Sequence, residues 1–189
     1  MRKPPEGNFW PWTNMVTGEM VSVLAPEPDR IKIEAIAYGL AGEYRYSGQT
    51  RPRLTVAEHS VLCAELAMRM SDGNRLPLLA LLHDASEGLG LHDFGSPFKS
   101  VLLGYRVLEA RWMAAVWTGL SIDPPNDLEQ QQVTYIDRII LATEAKRLLG
   151  DALLGQHPLP DPDPQTVVIG WRPAIAEENF LQTWNTLRA

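Results

Sequence analysis

The sequence has a single cysteine, Cys63, among its 189 residues. One cysteine excludes an internal disulfide and a cysteine-based zinc finger, because both need several, and it fits a reducing compartment. No stretch approaches the ~18 consecutive apolar residues of a membrane-spanning helix. The opening residues, MRKPPEG, lead into no apolar signal core. We therefore expect a cytoplasmic protein without a membrane segment.

Positive charge is also scarce, since 17 Lys and Arg residues stand against 23 Asp and Glu residues, a formal net charge of −6. That balance argues against stable binding to nucleic acid or to an anionic membrane, because both attract basic surfaces. Hydrophobic residues make up 45% and charged residues 21% of the chain. These values are typical of globular proteins and exclude a disordered tail, a collagen-like chain and a coiled-coil rod. At this length we expect a single domain over 1–189.

The hydrophobic pattern predicts an all-α domain with a small β decoration near the N-terminus. A hairpin is expected within 9–24, where two short β-prone runs flank Thr17-Gly18. Apolar spacing and helix-breaking residues then predict helices over about 31–43, 55–70, 76–87, 97–118, 127–149 and 174–187. The proline-rich residues 155–164 cannot form regular structure. The motif-bearing core spans about 31–150, and 151–189 adds a C-terminal loop and helix.

Two local signals mark helix ends. Thr55-Val-Ala-Glu58 is a capping-box pattern, in which Thr55 caps the first amides and the Glu58 carboxylate reaches back to the N–H of Thr55. Gly150 suits the end of the 127–149 helix, because glycine tolerates a left-handed backbone.

The 76–87 helix is apolar on nearly every face, so we expect it to be central and buried.

A histidine and an aspartate stand together in that apolar helix. Burying an ionised Asp84 beside His83 is unfavourable unless something compensates the charge. A divalent cation would compensate it, because imidazole and carboxylate are good ligands for Zn, Mn, Fe or Co. The alternative is an ordinary core histidine bonded to a carboxylate. His59, near the start of the preceding helix, comes close to His83 if the two helices are antiparallel with a short link.

A second carboxylate, Asp137, shares its helix face with the apolar residues 133, 136, 140 and 141. It is therefore expected to point toward the core, where it needs a partner. The simpler interpretation is a salt bridge to Arg138 or Arg147. Neighbours at i+1 do not face each other on a helix, so a partner elsewhere in the fold is favoured.

The order His59, His83-Asp84, Asp137 resembles the H…HD…D signature of the HD superfamily of metal-dependent phosphohydrolases. The surrounding residues are similar as well. TVAEHS, HDASE, SPFK and DRIILATEA resemble the family segments SVAEHS, HDASE or HDAPE, SPFK and DR…LATEA. Residues 16–60 resemble the leader of a bacterial and phage branch that contains 5′-deoxyribonucleotidases and dATP triphosphohydrolases. The similarity covers about residues 12–150.

The resemblance implies an HD-type helical bundle that binds one divalent metal ion (Mn, Co, Zn, Fe or Mg). The implied ligands are His59, His83, Asp84 and Asp137. Glu87 lies one turn beyond His83, and the resemblance implies that it orients or deprotonates the attacking water or protonates the leaving oxygen. Asp93 is the second implied catalytic residue.

The resemblance also implies substrate contacts by Arg45, Tyr46, Lys99 and Arg51. Arginine forks suit phosphate oxygens, and Tyr46 suits stacking on a base or sugar, although each of these residues has a simpler interpretation as a solvated cation or a packed tyrosine. The implied substrate is a deoxynucleotide cleaved at its 5′-phosphoester. The products are a deoxynucleoside with phosphate from a monophosphate, or with triphosphate from a dNTP such as dATP.

Two alternative functions stay open. The superfamily also contains hydrolases of other phosphoesters, such as cyclic nucleotides and guanosine alarmones, and a degenerate site would leave only nucleotide binding. Apolar helix faces and six tryptophans favour a homodimer or a larger homo-oligomer. Cys63 is interpreted as a small buried hydrophobe.

Overall fold

The computed structural model describes residues 11–150 and 158–189. Two predicted features begin outside this part of the chain, namely the hairpin, at residues 9–10, and the proline-rich loop, at residues 155–157. The rest of the predicted loop is irregular. The helices are α1 Ile33–Gly42, α2 Val56–Met70, α3 Arg75–Leu82, α4 Ser96–Val101, α5 Tyr105–Gly119, α6 Asp127–Leu148 and α7 Pro173–Arg188. The predicted all-α fold with an N-terminal hairpin is confirmed.

The hairpin consists of β1, Trp12–Asn14, paired antiparallel with β2, Met20–Ser22. Its turn contains Gly18 with φ +85°, a left-handed conformation that glycine adopts without steric penalty. Val21 is completely buried and anchors the hairpin on the helical core.

Helix α2 is the central element of the bundle. It packs against α1, α3, α6 and α7, and it is buried along most of its length. The Thr55 hydroxyl accepts a hydrogen bond of 3.1 Å from the N–H of Glu58, so the predicted N-cap is present. None of the helices in the described ranges combines the length and apolar character needed to cross a membrane.

The second half of the predicted capping box is wrong. The Glu58 carboxylate does not reach back to Thr55 but accepts hydrogen bonds from three successive backbone amides, those of Ile169, Gly170 and Trp171. The segment before α7 brings these N–H groups over the start of α2. The buried Glu58 carboxylate is therefore held by the C-terminal segment and not by its own helix.

Two predicted helices have different bounds in the structure. The helix expected over 76–87 ends at Leu82, after which bonds such as Glu87 N–H to Asp84 C=O, 2.9 Å, lead into the 3-10 turn Glu87–Leu89. The helix expected over 97–118 is divided into α4 and α5 by Gly104, whose φ is +83°. Apolar spacing continues across the break, so the sequence pattern did not reveal it.

A close contact between two glycines positions the 3-10 turn Glu87–Leu89. A Cβ atom on Gly39 of α1 would lie 1.7 Å from the carbonyl oxygen of Gly88. A Cβ atom on Gly88 would lie 2.7 Å from the carbonyl oxygen of Ile36. Only glycine at both positions lets α1 approach this turn, and the contact places Glu87 in the interior, where it is 2% exposed.

Candidate metal centre

Three helices bring together the residues that the sequence predicted as metal ligands. His59 comes from α2, His83 and Asp84 follow α3, and Asp137 comes from the middle of α6. The Nε2 atoms of His59 and His83 lie 3.3 Å apart. Oδ1 of Asp137 lies 3.2 Å from Nε2 of His59, and Oδ2 of Asp84 lies 3.2 Å from Nε2 of His83. We call these four residues the metal centre.

The other ring nitrogen of each histidine is bound to an acceptor. Nδ1 of His59 lies 2.6 Å from Oε1 of Glu144, and Nδ1 of His83 lies 2.7 Å from the backbone oxygen of Ala80. With each Nδ1 donating its proton outward, the neutral form of each imidazole presents its Nε2 lone pair to the centre. Two lone pairs facing each other at this distance repel, and a cation between them removes the repulsion. The donor set thus fits a divalent metal ion.

The charges at the centre also favour a cation. Burial alone would lower the pKa of His83, but the charge of Asp84 and its hydrogen bond raise that pKa to about 10. Burial alone would raise the pKa values of Asp84 and Asp137, but the neighbouring histidines and Arg45 hold both below their ordinary values. The carboxylates therefore stay ionised and attract either protons or a metal ion to the imidazoles.

Cys63, interpreted from the sequence as a small hydrophobe, lies beside the centre. Its Sγ atom is 3.5 Å from Nε2 of His59. The donor atoms of His59, Cys63, His83 and Asp137 all lie within 4.8 Å of one another, so these residues can hold a metal ion together. A thiolate ligand would favour a thiophilic metal such as Zn. The sequence signal for this role is the i+4 spacing from His59, which puts both side chains on one helix face.

A buried carboxylate that the sequence interpretation left without a role, Glu144 of α6, lies behind the centre. It is 0% exposed. It accepts hydrogen bonds from Nδ1 of His59, from Nε of Arg45 at 2.9 Å and from the hydroxyl of Tyr46 at 3.1 Å. Burial alone would raise the pKa of Glu144, but Arg45 and His59 hold it below its ordinary value. Glu144 thus links the orientation of His59 to two residues predicted to contact substrate.

Of the four predicted substrate residues, Arg45 and Tyr46 lie beside the centre, whereas Arg51 and Lys99 do not. Nη1 of Arg45 is 3.8 Å from Oδ2 of Asp84, and Tyr46 lies next to it with φ +57°. Arg51 is exposed and makes no hydrogen bond or ion pair with the centre in the part of the chain that the structure describes. The fourth residue, Lys99, is bound to carboxylates.

Glu87, predicted to be catalytic, has one bound and one free carboxylate oxygen. Oε1 accepts a hydrogen bond of 2.8 Å from Nζ of Lys99, while Oε2 is buried and has no partner among the described residues. Burial and the charges of Asp84 and Asp93 raise the pKa of Glu87 to about 8, against the opposing effect of Lys99. Nζ of Lys99 also lies 3.0 Å from Oε1 of Glu109. Lys99, which the resemblance implies to contact substrate, thus lies between two carboxylates and holds Oε1 of Glu87.

Asp93, the second implied catalytic residue, and its neighbour His92 lie in different surroundings. Burial raises the pKa of Asp93, and the charges of Arg45 and Asp84 act on it in opposite directions. His92 is 61% exposed at its side chain and pairs with Glu43 at 2.8 Å. Of these two neighbours, Asp93 is therefore the one that responds to the charges of the centre.

The fold and the site define a helical protein with a candidate metal centre. No family model matches the chain. An uncharacterized protein of Rhodobacter capsulatus is 37% identical over 164 residues, which cover 80% of this chain and 81% of the relative. The uncharacterized protein YfdR of Escherichia coli K12 is 32% identical over 120 residues, which cover 64% of this chain and 62% of YfdR. The chain belongs to the same family as the Rhodobacter capsulatus protein.

Proposed function

We propose that the protein is a metal-dependent phosphohydrolase of the HD superfamily that cleaves the 5′-phosphoester of deoxynucleotides. The observation that carries the proposal is the pair of Nε2 atoms of His59 and His83, which face each other with a carboxylate oxygen 3.2 Å from each. Two imidazoles and two carboxylates are a suitable ligand set for a divalent transition metal. Their order along the chain is that of the superfamily signature.

A divalent ion held by His59, His83, Asp84 and Asp137 would supply Lewis acidity toward the phosphoryl group and lower the pKa of water. The chain's own acid–base group is Glu87. Its free Oε2 and its pKa of about 8 suit it to take a proton from the attacking water or to give one to the leaving 5′-oxygen. Because Lys99 occupies Oε1, the oxygen available for proton transfer is Oε2.

Arg45 and Tyr46 are the residues best placed to contact substrate near the phosphate. Glu144 binds Nε of Arg45, which fixes one edge of the guanidinium and leaves Nη donors for phosphate oxygens. The side chain of Arg45 is only 12% exposed, so solvent screens its charge weakly. Both a deoxynucleoside monophosphate and a dNTP such as dATP are proposed substrates, because the same 5′-phosphoester is cleaved in each.

The test is a nucleotide panel on the full chain after chelation, with Mn, Co, Zn, Fe and Mg added separately and products identified. We expect metal-dependent release of a deoxynucleoside together with phosphate or triphosphate, and slower turnover of the matching ribonucleotides. His83→Ala and Asp84→Ala should lose this activity and bound metal, whereas the exposed-site control Asp72→Ala should retain both.

Absence of turnover with every metal and nucleotide would refute the proposal. So would full activity of Asp84→Ala. Turnover of only a cyclic nucleotide or a guanosine alarmone would keep the metal-dependent reaction but replace the substrate class.

A further inference from the structure

We propose that the nucleoside part of the substrate binds in a cavity between α3, α5 and α6, beside the metal centre. This inference rests on the proposed phosphohydrolase function. The cavity has a volume of about 340 Å³, which lies within the usual range of about 300–1,000 Å³ for small-molecule sites. His83, Asp84 and Asp137 form part of its lining, so a phosphate at the centre would leave the attached nucleoside next to this space.

The inner walls of the cavity are apolar. They are formed by Leu79 of α3, Met113 and Trp117 of α5, and Val133 of α6, of which Leu79, Trp117 and Val133 are buried. A nucleobase gains from apolar and aromatic surfaces of this kind, because its faces are poorly hydrated and stack on them. A polyphosphate would gain nothing from them, which favours the nucleoside as the occupant.

The mouth of the cavity carries polar groups without partners. The guanidinium of Arg106 and the side-chain amide of Gln130 line the cavity, and neither has a hydrogen bond or ion pair within the described ranges. Arg106 supplies positive charge beside an acidic centre that would otherwise repel an anionic substrate. An amide such as that of Gln130 can both donate to and accept from the edge of a base, adenine in particular.

In this placement, the phosphate and the nucleoside contact different groups around the centre. Arg45 and Lys99 are already bound to carboxylates, whereas Arg106 is not. A second cavity of about 770 Å³ continues along α5 and shares Ala110, Met113, Trp117 and Pro125 with the first. A bulky side chain at a position that lines the first cavity would therefore fill the proposed nucleoside site, whereas one that lines only the second cavity would leave that site open.

Two exposed alanines of α5, one turn apart, allow a matched test. Ala110 lines both cavities, while Ala114 lines only the outer one. Binding of deoxyadenosine and of inorganic phosphate to the metal-loaded full chain is measured by calorimetry for wild type, Ala110→Trp and Ala114→Trp. We expect Ala110→Trp to raise the Kd of deoxyadenosine by about tenfold or more through steric exclusion. The Kd of phosphate, the metal content and both constants of Ala114→Trp should stay near wild type.

A wild-type Kd of deoxyadenosine in Ala110→Trp, or an equal rise in both variants, would overturn the inference. If Ala110→Trp does not fold, Gln130→Ala provides the test. This variant should raise the Kd of deoxyadenosine by about 5- to 100-fold, the value of a good amide–base contact. The Kd of phosphate should stay unchanged. An unaltered Kd of deoxyadenosine would again overturn the inference. Because nucleoside binding is measured without turnover, failure here is distinct from a wild-type protein that hydrolyses no nucleotide.

Discussion

The free Oε2 of Glu87 lies in the interior beside a cluster of carboxylates. Replacement Glu87→Gln keeps the shape and an acceptor for Lys99 but removes the group that exchanges a proton. We predict that turnover falls by about 10²- to 10⁴-fold, the usual contribution of a general acid or base, with equal drops in kcat and kcat/KM. Initial rates and metal analysis on purified protein check this, with the exposed Glu34→Gln of α1 as the control.

Metal content and thermal stability separate the possible roles of Glu87. A neutral glutamine removes a carboxylate whose ionised form is disfavoured by burial, so the melting temperature should not fall. Loss of metal in Glu87→Gln would instead make Glu87 a support of the centre. Unchanged turnover would remove it from the mechanism.

Glu144 should affect the metal through His59, because it holds Nδ1 of that imidazole at 2.6 Å. We predict that Glu144→Gln weakens metal affinity by about 10- to 100-fold at unchanged stoichiometry, which is typical when the partner of a ligating histidine is altered. Calorimetric metal titration measures this, and Glu144→Asp should recover part of the affinity by restoring the carboxylate. An unaltered metal Kd in Glu144→Gln would limit Glu144 to a structural role.

The sequence singled out His59, His83, Asp84 and Asp137 because their order and the neighbouring segments resemble the HD signature, and the structure brings these four side chains together. The contributions of Cys63 and Glu144 were not predicted. The i+4 spacing places Cys63 on the same face of α2 as His59, but the approach of Glu144 to His59 depends on how α2 packs against α6, which periodicity does not specify. The pairing of Lys99 with Glu87 was also missed, because it depends on where the short helix α4 lies after the glycine-containing loop.

At the scale of elements, Glu58 fastens the C-terminal segment to α2 through the amides of Ile169, Gly170 and Trp171. We predict that Glu58→Gln lowers the free energy of unfolding by about 1–3 kcal/mol, because a buried charge-assisted network is left incompletely satisfied. Urea unfolding measures this, and Glu65→Gln on the exposed side of α2 is the control. Equal stability of the two variants would show that these amide contacts contribute nothing to folding.

Helix positions were predictable to within a few residues where a cap or breaker marks the end. Thr55 caps α2, which begins at Val56, and α6 spans Asp127–Leu148 against a predicted 127–149. The early end of α3 and the break at Gly104 were not predictable from apolar spacing, which continues through both. The approach of α1 to the turn at Gly88 depends on a contact between elements distant in sequence, so no local pattern reveals it.

At the scale of the whole molecule, the homo-oligomer expected from the sequence stays a prediction. Large apolar side chains are exposed in and after α4, among them Phe98, Val101 and Val107 at 60%, 71% and 58%. Exposed apolar patches often mark protein contacts. This region borders Lys99, so an assembly through it would lie near the candidate centre.

A metal ion at the centre would tie α2, α3 and α6 together, since each of these helices or its end supplies a ligand. The measurement that tests this most directly is a calorimetric titration of chelator-treated full chain with a divalent transition metal such as Mn or Co, repeated on His83→Ala. We predict one ion bound per wild-type chain and no comparable binding by His83→Ala, because the variant lacks one of the two facing Nε2 atoms. A wild-type chain that binds no ion, or a variant that binds as tightly as wild type, would contradict the assignment of the metal centre.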